Sequence, residues 1–170
     1  ISSIEKKFPK VILIRVKERQ PEIAWCSGGV CYLVDKEGLV YAGADARDEE
    51  ITRERFLIVI DDNARPIDIK KTMIGIEFID HLKQIDVVLI DKLGLKLKDS
   101  YHTPSLSSGE ILAKIDEDEG EGWELKMDMA VSPEETEKIL ETLFEKELEP
   151  ENRKNLEYLD LRVKNKVYYK

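Results

Sequence analysis

The sequence is poor in the residues that build most metal and nucleophilic sites. Its 170 residues contain two cysteines and two histidines, against 36 acidic and 27 basic residues, so the formal net charge is −9 at pH 7. Two cysteines cannot supply the four ligands of a structural zinc site. A net acidic surface argues against general nucleic-acid binding, because phosphate binding needs concentrated lysine and arginine. We therefore expect no metal, no cofactor and no nucleic-acid partner.

Long apolar runs are absent too. No segment approaches the roughly 20 apolar residues of a membrane-spanning helix. The chain begins at Ile1, without an initiator methionine or a signal peptide. These features lead us to expect a soluble piece of a longer protein. Hydrophobic residues reach 42%, enough for a real core, and the length suits one medium domain or one domain with part of another.

Catalytic motifs are missing as well. His102 and the serines of residues 99–109 invite comparison with hydrolases, but no Gly-x-Ser-x-Gly elbow is present. The acidic run Asp61-Asp62-Asn63 lacks the spacing of a calcium-binding loop and is typical of a turn. His81 has no second histidine or cysteine nearby. We expect a protein that is not an enzyme, although catalytic groups can also lie far apart in a sequence.

The two cysteines lie on either side of a glycine pair. If Gly28-Gly29 form a two-residue hairpin turn, Ser27 faces Val30 and Cys26 faces Cys31. Directly opposed strand residues have Cα atoms close enough for a disulfide. Two free thiols in the hairpin are the alternative. We predict the disulfide in oxidised protein, which would indicate an oxidising, extracytoplasmic compartment.

Two segments have the pattern of amphipathic helices. In the first, Asp68 is a plausible N-cap, and apolar residues recur at three- and four-residue intervals from Ile69 to Ile85. In the second, Ser132 is the cap, Pro133 occupies the first helical position and Glu135 completes a capping box. The apolar face of the second helix is Ile139, Leu140, Leu143, Phe144 and Leu148.

The remaining segments are mostly typical of strands and turns. Strands are predicted at 11–18, 23–25, 32–35, 39–41, 56–60, 87–90, 93–97, 110–116 and 123–129. The last two of these form a hairpin with an acidic tip, whereas residues 1–7 are interpreted as the end of a helix and 42–55 and 99–109 as loops. The pattern predicts an α+β fold, in which two amphipathic helices pack on one face of a largely antiparallel sheet.

The most strand-like segment is YLDLRVKNKVYYK, residues 158–170. Leu159, Leu161 and Val163 alternate with polar residues, which is the pattern of a strand with one buried face. The segment is either the last strand of the core or an edge strand. The unpaired N–H and C=O groups of such an edge can accept a strand from another protein.

Motifs at both ends of the chain resemble the FtsQ/DivIB family of bacterial cell-division proteins. The first group comprises Phe8-Pro9, a strand, Val16-Lys17-Glu18-Arg19-Gln20-Pro21, Ala24-Trp25 and the segment from Tyr32 to Gly38. It looks like the junction between the POTRA domain and the β domain of that family. The second group leads from Gly122-Trp123-Glu124-Leu125 through a helix to Asp160-Leu161-Arg162. The middle, about residues 45 to 120, matches only in the order of its elements.

The resemblance implies two domains and a binding function. Residues 1–40 would be the C-terminal part of a truncated POTRA domain, and residues 41–170 the β domain. Family members are divisome scaffolds in septum formation, anchored in the cell membrane by one N-terminal helix, with these domains outside the cytoplasm. They bind FtsB/DivIC-type and FtsL-type membrane coiled-coil proteins. The alternative is a POTRA-like transport or chaperone module of the envelope, which would be expected to repeat its domain; the sequence has no internal repeat.

The resemblance also implies where the partner binds. The site would be the final strand: Arg162, Val163, Lys164, Asn165, Lys166, Val167, Tyr168 and Tyr169. Arg162 matches an arginine that can pair with a partner carboxylate. Val163 departs from the family pattern, which often has an aromatic residue there. Asn165 is a candidate turn or bulge residue, so the strand register is open beyond Lys164.

Overall fold

The computed structural model describes residues 3–7, 10–16, 18–45, 56–104, 107, 109–117 and 121–170. The strands are β1 Ser3–Lys7, β2 Val11–Arg15, β3 Pro21–Ser27, β4 Val30–Asp35, β5 Val40–Asp45, β6 Leu57–Asp61, β7 Lys96–Thr103, β8 Glu110–Asp116, β9 Trp123–Asp128, β10 Tyr158–Asp160 and β11 Tyr168–Tyr169. The helices are α1 Ile76–Asp86, continued by a π-helical segment Val87–Lys92, then α2 Pro133–Lys146 and α3 Pro150–Arg153.

Nine of these strands form one mixed sheet in the order β11-β10-β9-β8-β7-β6-β3-β4-β5, while β1 and β2 form a separate hairpin. The pairs β3/β6, β6/β7 and β9/β10 are parallel, and the other pairs are antiparallel. The expected α+β fold with a mostly antiparallel sheet is confirmed. The expected domain division at residues 40 and 41 crosses this sheet, because β3 and β4 pair with β5 and β6.

The hydrophobic core lies between one face of the sheet and the two longer helices. In β8 and β9, alternate residues are buried, and the pairs Ile111/Met127, Ala113/Leu125 and Ile115/Trp123 lie opposite each other. Phe78 of α1 contacts Trp25 edge to face, with ring centroids 5.9 Å apart. Phe144 of α2 contacts Trp123 in the same manner at 6.4 Å. The buried face of the alternating strands and the apolar faces of the two helices therefore pack together in one hydrophobic core.

The β3–β4 hairpin has the register predicted from its glycines. Gly28 and Gly29 have φ values of 58° and 82°, which two-residue hairpin turns require and glycine adopts readily. Cys26 is paired with Cys31, and the structure joins the two side chains in a disulfide.

The first helix begins later than the sequence predicts. α1 begins after Gly75, and Asp68 is not its cap. The backbone of residues 70–73 instead bonds the start of β5 and the turn before it. Lys70 N–H donates to the Val40 carbonyl at 2.6 Å, and Met73 N–H donates to the Gly38 carbonyl at 3.1 Å. These N–H groups are therefore not available to a helix.

At its C-terminal end α1 continues as a π-helix through residues 87–90, so the strand predicted there is wrong. A short apolar run suits a strand and a helix alike. Here Val88 and Leu89 extend the buried apolar face of α1.

Two other local predictions are corrected. Residues 3–7 are not the end of a helix but strand β1, paired with β2 from Ser3/Arg15 to Lys7/Val11. The loop predicted at 99–109 is strand up to Thr103, because residues 101–103 pair with β6 and residues 101 and 102 also pair with β8. The Phe8-Pro9 helix stop, residues 46–55 of the predicted loop and residues 118–120 of the hairpin tip lie outside the described residues.

Candidate partner-binding edge

The end of the chain is a hairpin rather than a single strand. β10 lies parallel to β9, and β11 folds back antiparallel to β10. The turn between them has Asn165 at φ 60°, and Lys166 N–H donates to the Val163 carbonyl at 3.0 Å. The expectation of one edge strand over residues 162–169 is therefore wrong, and only Tyr168 and Tyr169 of those residues are paired as strand.

Local hydrogen bonds explain why β10 is short. Leu161 is buried, and its N–H donates to the Lys126 carbonyl of β9 at 2.8 Å. The next N–H, that of Arg162, turns back to Asp160 Oδ1 at 3.0 Å. A side chain that captures the backbone two residues on favours a turn over continued strand. The chain therefore leaves the sheet after one buried leucine and returns as β11.

β11 is one of the two outermost strands of the nine-stranded sheet, and β5 is the other. Lys170 N–H donates to the Tyr158 carbonyl at 3.3 Å, and the Lys170 carbonyl accepts from Glu157 N–H at 2.6 Å. Alternate residues of an antiparallel strand direct their backbone groups to opposite sides. Since Lys170 faces β10, the N–H and C=O of Tyr169 point away from the sheet. No described strand pairs with this outer side.

Three apolar or aromatic side chains at this edge are exposed. Val163, Tyr168 and Tyr169 are 48%, 49% and 45% exposed. Tyr169 lies on the helix side of the sheet, opposite Leu159, and its hydroxyl donates to Glu147 at the end of α2 at 2.7 Å. That hydrogen bond raises the pKa of Tyr169. Tyr168 lies on the other face, opposite Asp160, so an added strand would contact a tyrosine on each side.

Arg162 is engaged within the protein. Its Nε and Nη2 donate to the two oxygens of Asp160 at 3.0 and 2.6 Å, and Nη1 donates to Glu110 of β8 at 2.8 Å. The hydrogen bonds to the Arg162 guanidinium hold the pKa of Asp160 below its ordinary value. The same pairing raises the pKa of Arg162. The guanidinium therefore connects the end of β10 to β8 and is not an unpaired cation.

The other cations of the segment differ in their pairing. Lys170 Nζ lies 2.9 Å from Glu157. Lys164 and Lys166 are exposed in the β10–β11 turn, and within the described part of the chain neither has an ion-pair partner. Residues 162–170 contain four basic residues and no acidic one, although the whole chain is acidic. Acidic residues of neighbouring elements pair with Arg162 and Lys170, so the remaining positive charge of the segment is that of Lys164 and Lys166.

The histidines and cysteines do not come together in a site. His102 Nδ1 lies 2.8 Å from Asp62 Oδ1. His81 Nε2 is buried and has no hydrogen-bond partner among the described residues, and burial lowers the pKa of the His81 ring. The described residues contain no group of three histidine, cysteine or carboxylate side chains placed to hold a metal. They also contain no helix that is long and apolar enough to cross a membrane.

Sequence reasoning missed the residues that support this edge. Asp160 and Arg162 are visible as neighbours on one strand face, but Glu110 lies 52 residues away and no local pattern connects it to Arg162. Glu147, the acceptor for Tyr169, is likewise hidden at the end of α2. No protein-family model matches the chain, and no curated protein matches it either.

Proposed function

We propose that this protein is a non-enzymatic divisome scaffold of the FtsQ/DivIB type, which acts outside the cytoplasm at the cell membrane during bacterial septum formation. Its partners would be FtsB/DivIC-type and FtsL-type membrane coiled-coil proteins, bound by strand addition at β11. The observation that carries the proposal is the outward-facing backbone of Tyr169 on an exposed outer strand. The Cys26–Cys31 disulfide supports an oxidising compartment.

Strand addition needs backbone groups that no neighbour satisfies and side chains that bury apolar area against the partner. Tyr169 supplies one outward N–H and one outward C=O. Tyr168, Tyr169 and Val163 supply exposed apolar area on both sides of the strand. A backbone hydrogen bond contributes only about 0.5–1.5 kcal/mol net. Much of the affinity would therefore come from burying these three side chains.

The test measures binding of purified protein to the extracytoplasmic segments of FtsB/DivIC-type and FtsL-type proteins. Tyr169→Pro removes both the outward N–H and the aromatic ring that would be buried against the partner, so it should weaken binding strongly. Tyr169→Phe keeps the backbone and the ring and loses only the hydroxyl that bonds Glu147. This control should bind almost as well as the parent. Urea unfolding of each variant checks that the fold is retained.

Hydrogen exchange locates the contact independently of mutation. Binding by strand addition should create new amide protection at Tyr169 and its neighbours within residues 162–170. Protection confined to α1, or a Tyr169→Pro variant that is folded and binds as tightly as the parent, would show that β11 is not the binding edge. Absence of binding to all of the candidate segments would contradict the divisome assignment itself.

A further inference from the structure

The four cations near β11 are not equivalent. Arg162 is held by Asp160 and Glu110, with the closest contact at 2.6 Å, and Lys170 is held by Glu157 at 2.9 Å. A partner carboxylate would have to compete with these internal acids. Lys164 and Lys166 have no such competitor among the described residues, and both are exposed. The charge that a partner would meet is therefore that of the two lysines.

The position of the two lysines also affects pairing between copies of the protein. Exposed strand edges tend to pair with one another, and lysine at an edge opposes this. If two β11 strands paired in parallel, the lysines of both copies would lie side by side next to the short strands. Like charges at close positions on adjacent strands are destabilising, whereas opposite charges are favourable. An edge whose lysines repel a parallel copy of themselves would attract an acidic strand.

We propose that Lys164 and Lys166 are specificity-determining residues of the β11 edge, which select an acidic extended partner segment and disfavour parallel pairing with a second copy of this chain. The inference rests on the proposed strand addition at β11. It assigns the electrostatic selection to the turn lysines and gives Arg162 the role of positioning β10 and the turn. Attraction between exposed charges acts largely on the association rate and is screened by salt.

The experiment uses two synthetic peptides as probes. Both alternate valine with a polar residue, which is glutamate in one and glutamine in the other. Affinity is measured for the parent, for the double variant Lys164→Glu/Lys166→Glu and for the control Lys10→Glu/Lys36→Glu. The control has the same net charge as the first variant, and its two exposed lysines lie in the β1–β2 turn and in the turn after β4.

We expect the parent to prefer the glutamate peptide, with a preference that weakens between about 50 mM and about 500 mM salt. Reversal of both turn lysines should weaken binding of the glutamate peptide by about tenfold or more, since two attractions become repulsions. The Lys10/Lys36 control should stay close to the parent. Sedimentation of a Lys164→Gln/Lys166→Gln variant should show more self-association than the parent.

Several results would overturn the inference. One is equal binding of the glutamate and glutamine peptides, or no binding of either to the parent. Another is equal weakening in the Lys10/Lys36 control, which would assign the effect to net charge. The outcomes separate this inference from the proposed function. If divisome segments bind at β11 with no effect of the turn lysines, only the inference fails. If the acidic peptide binds selectively and the divisome segments do not, only the divisome assignment fails.

Discussion

Substitution of Arg162 tests whether this residue holds the candidate edge in place. Arg162→Met keeps most of the side-chain length and removes the guanidinium. Three charge-assisted hydrogen bonds would be lost, two to Asp160 and one to Glu110. The side chains of Asp160 and Glu110 are only 16% and 25% exposed, so their carboxylates would keep their charges with less solvation than in water.

The expected loss of stability lies between two limits. Exposed ion pairs contribute about 0–1 kcal/mol, and breaking a buried pair costs about 3–5 kcal/mol. Since the Arg162 side chain is 35% exposed, we expect the free energy of unfolding to fall by about 1–3 kcal/mol at neutral pH. Lys71→Met is the control. It breaks the Lys71–Asp68 pair, whose side chains are 69% and 63% exposed, and should cost less than about 1 kcal/mol.

The effect of Arg162→Met should depend on pH in a defined direction. The folded-state pKa of Asp160 is below its ordinary value of 3.8, chiefly because of its hydrogen bonds to Arg162. The pairing therefore stabilises the protein fully above the ordinary pKa and stops doing so as the pH falls through the lowered folded pKa. The difference between parent and variant should be constant near neutral pH and shrink in strong acid.

Urea unfolding, followed by tryptophan fluorescence at several pH values, gives the required free energies. A double-mutant cycle with Asp160→Asn isolates the pair. A coupling energy below about 0.5 kcal/mol, or a deficit in Arg162→Met that grows as the pH falls, would refute this account of Arg162.

Three further predictions concern the fold. Mass spectrometry of unreduced protein should show one Cys26–Cys31 bridge, and two alkylatable thiols in native oxidised protein would contradict it. Removing the bridge should lower the free energy of unfolding by the low end of the roughly 2–4 kcal/mol typical of disulfides, because the closed loop is short. Ser132→Ala should lower stability by about 0.5–2 kcal/mol in thermal or urea unfolding, because Glu135 N–H loses its 3.2 Å acceptor; no change would mean that the cap does not matter. Tyr101→Phe should cost about 1–3 kcal/mol in urea unfolding, since the buried Tyr101 hydroxyl donates to Asp86 at 2.8 Å; a neutral result would exclude that bond as a stabilising contact.

The predictions that succeeded depend on interactions within one element or across one turn. Gly28-Gly29 indicated the hairpin and the facing of Cys26 and Cys31, because a two-residue turn leaves one register. Ser132-Pro133 indicated the start of α2, because a cap acts on the N–H three residues later. The alternation in 110–116 and 123–128 indicated the β8–β9 hairpin, since one face of each strand is buried.

The candidate edge was predictable in place but not in form. The strand-like composition of residues 158–170 predicts a strand at this place, and Asn165 is a candidate turn or bulge residue. The break into β10 and β11 arises from the Asp160–Arg162 turn together with the return of Lys170 to Tyr158. A local pattern therefore identified the segment, and hydrogen bonds across the turn decided which of its backbone groups face outward.

By itself the sequence determined the local pieces of this protein: the tight turns, the start of α2, the alternating strands and the basic character of residues 162–170. Only the tertiary structure decided where those pieces pair. It placed residues 70–73 against the turn before β5 and so delayed α1, kept 87–92 helical above the sheet, and brought Glu110 to Arg162 across 52 residues. The reason is that short apolar runs suit a helix and a strand almost equally. Contacts with residues distant in the chain then determine which of the two forms.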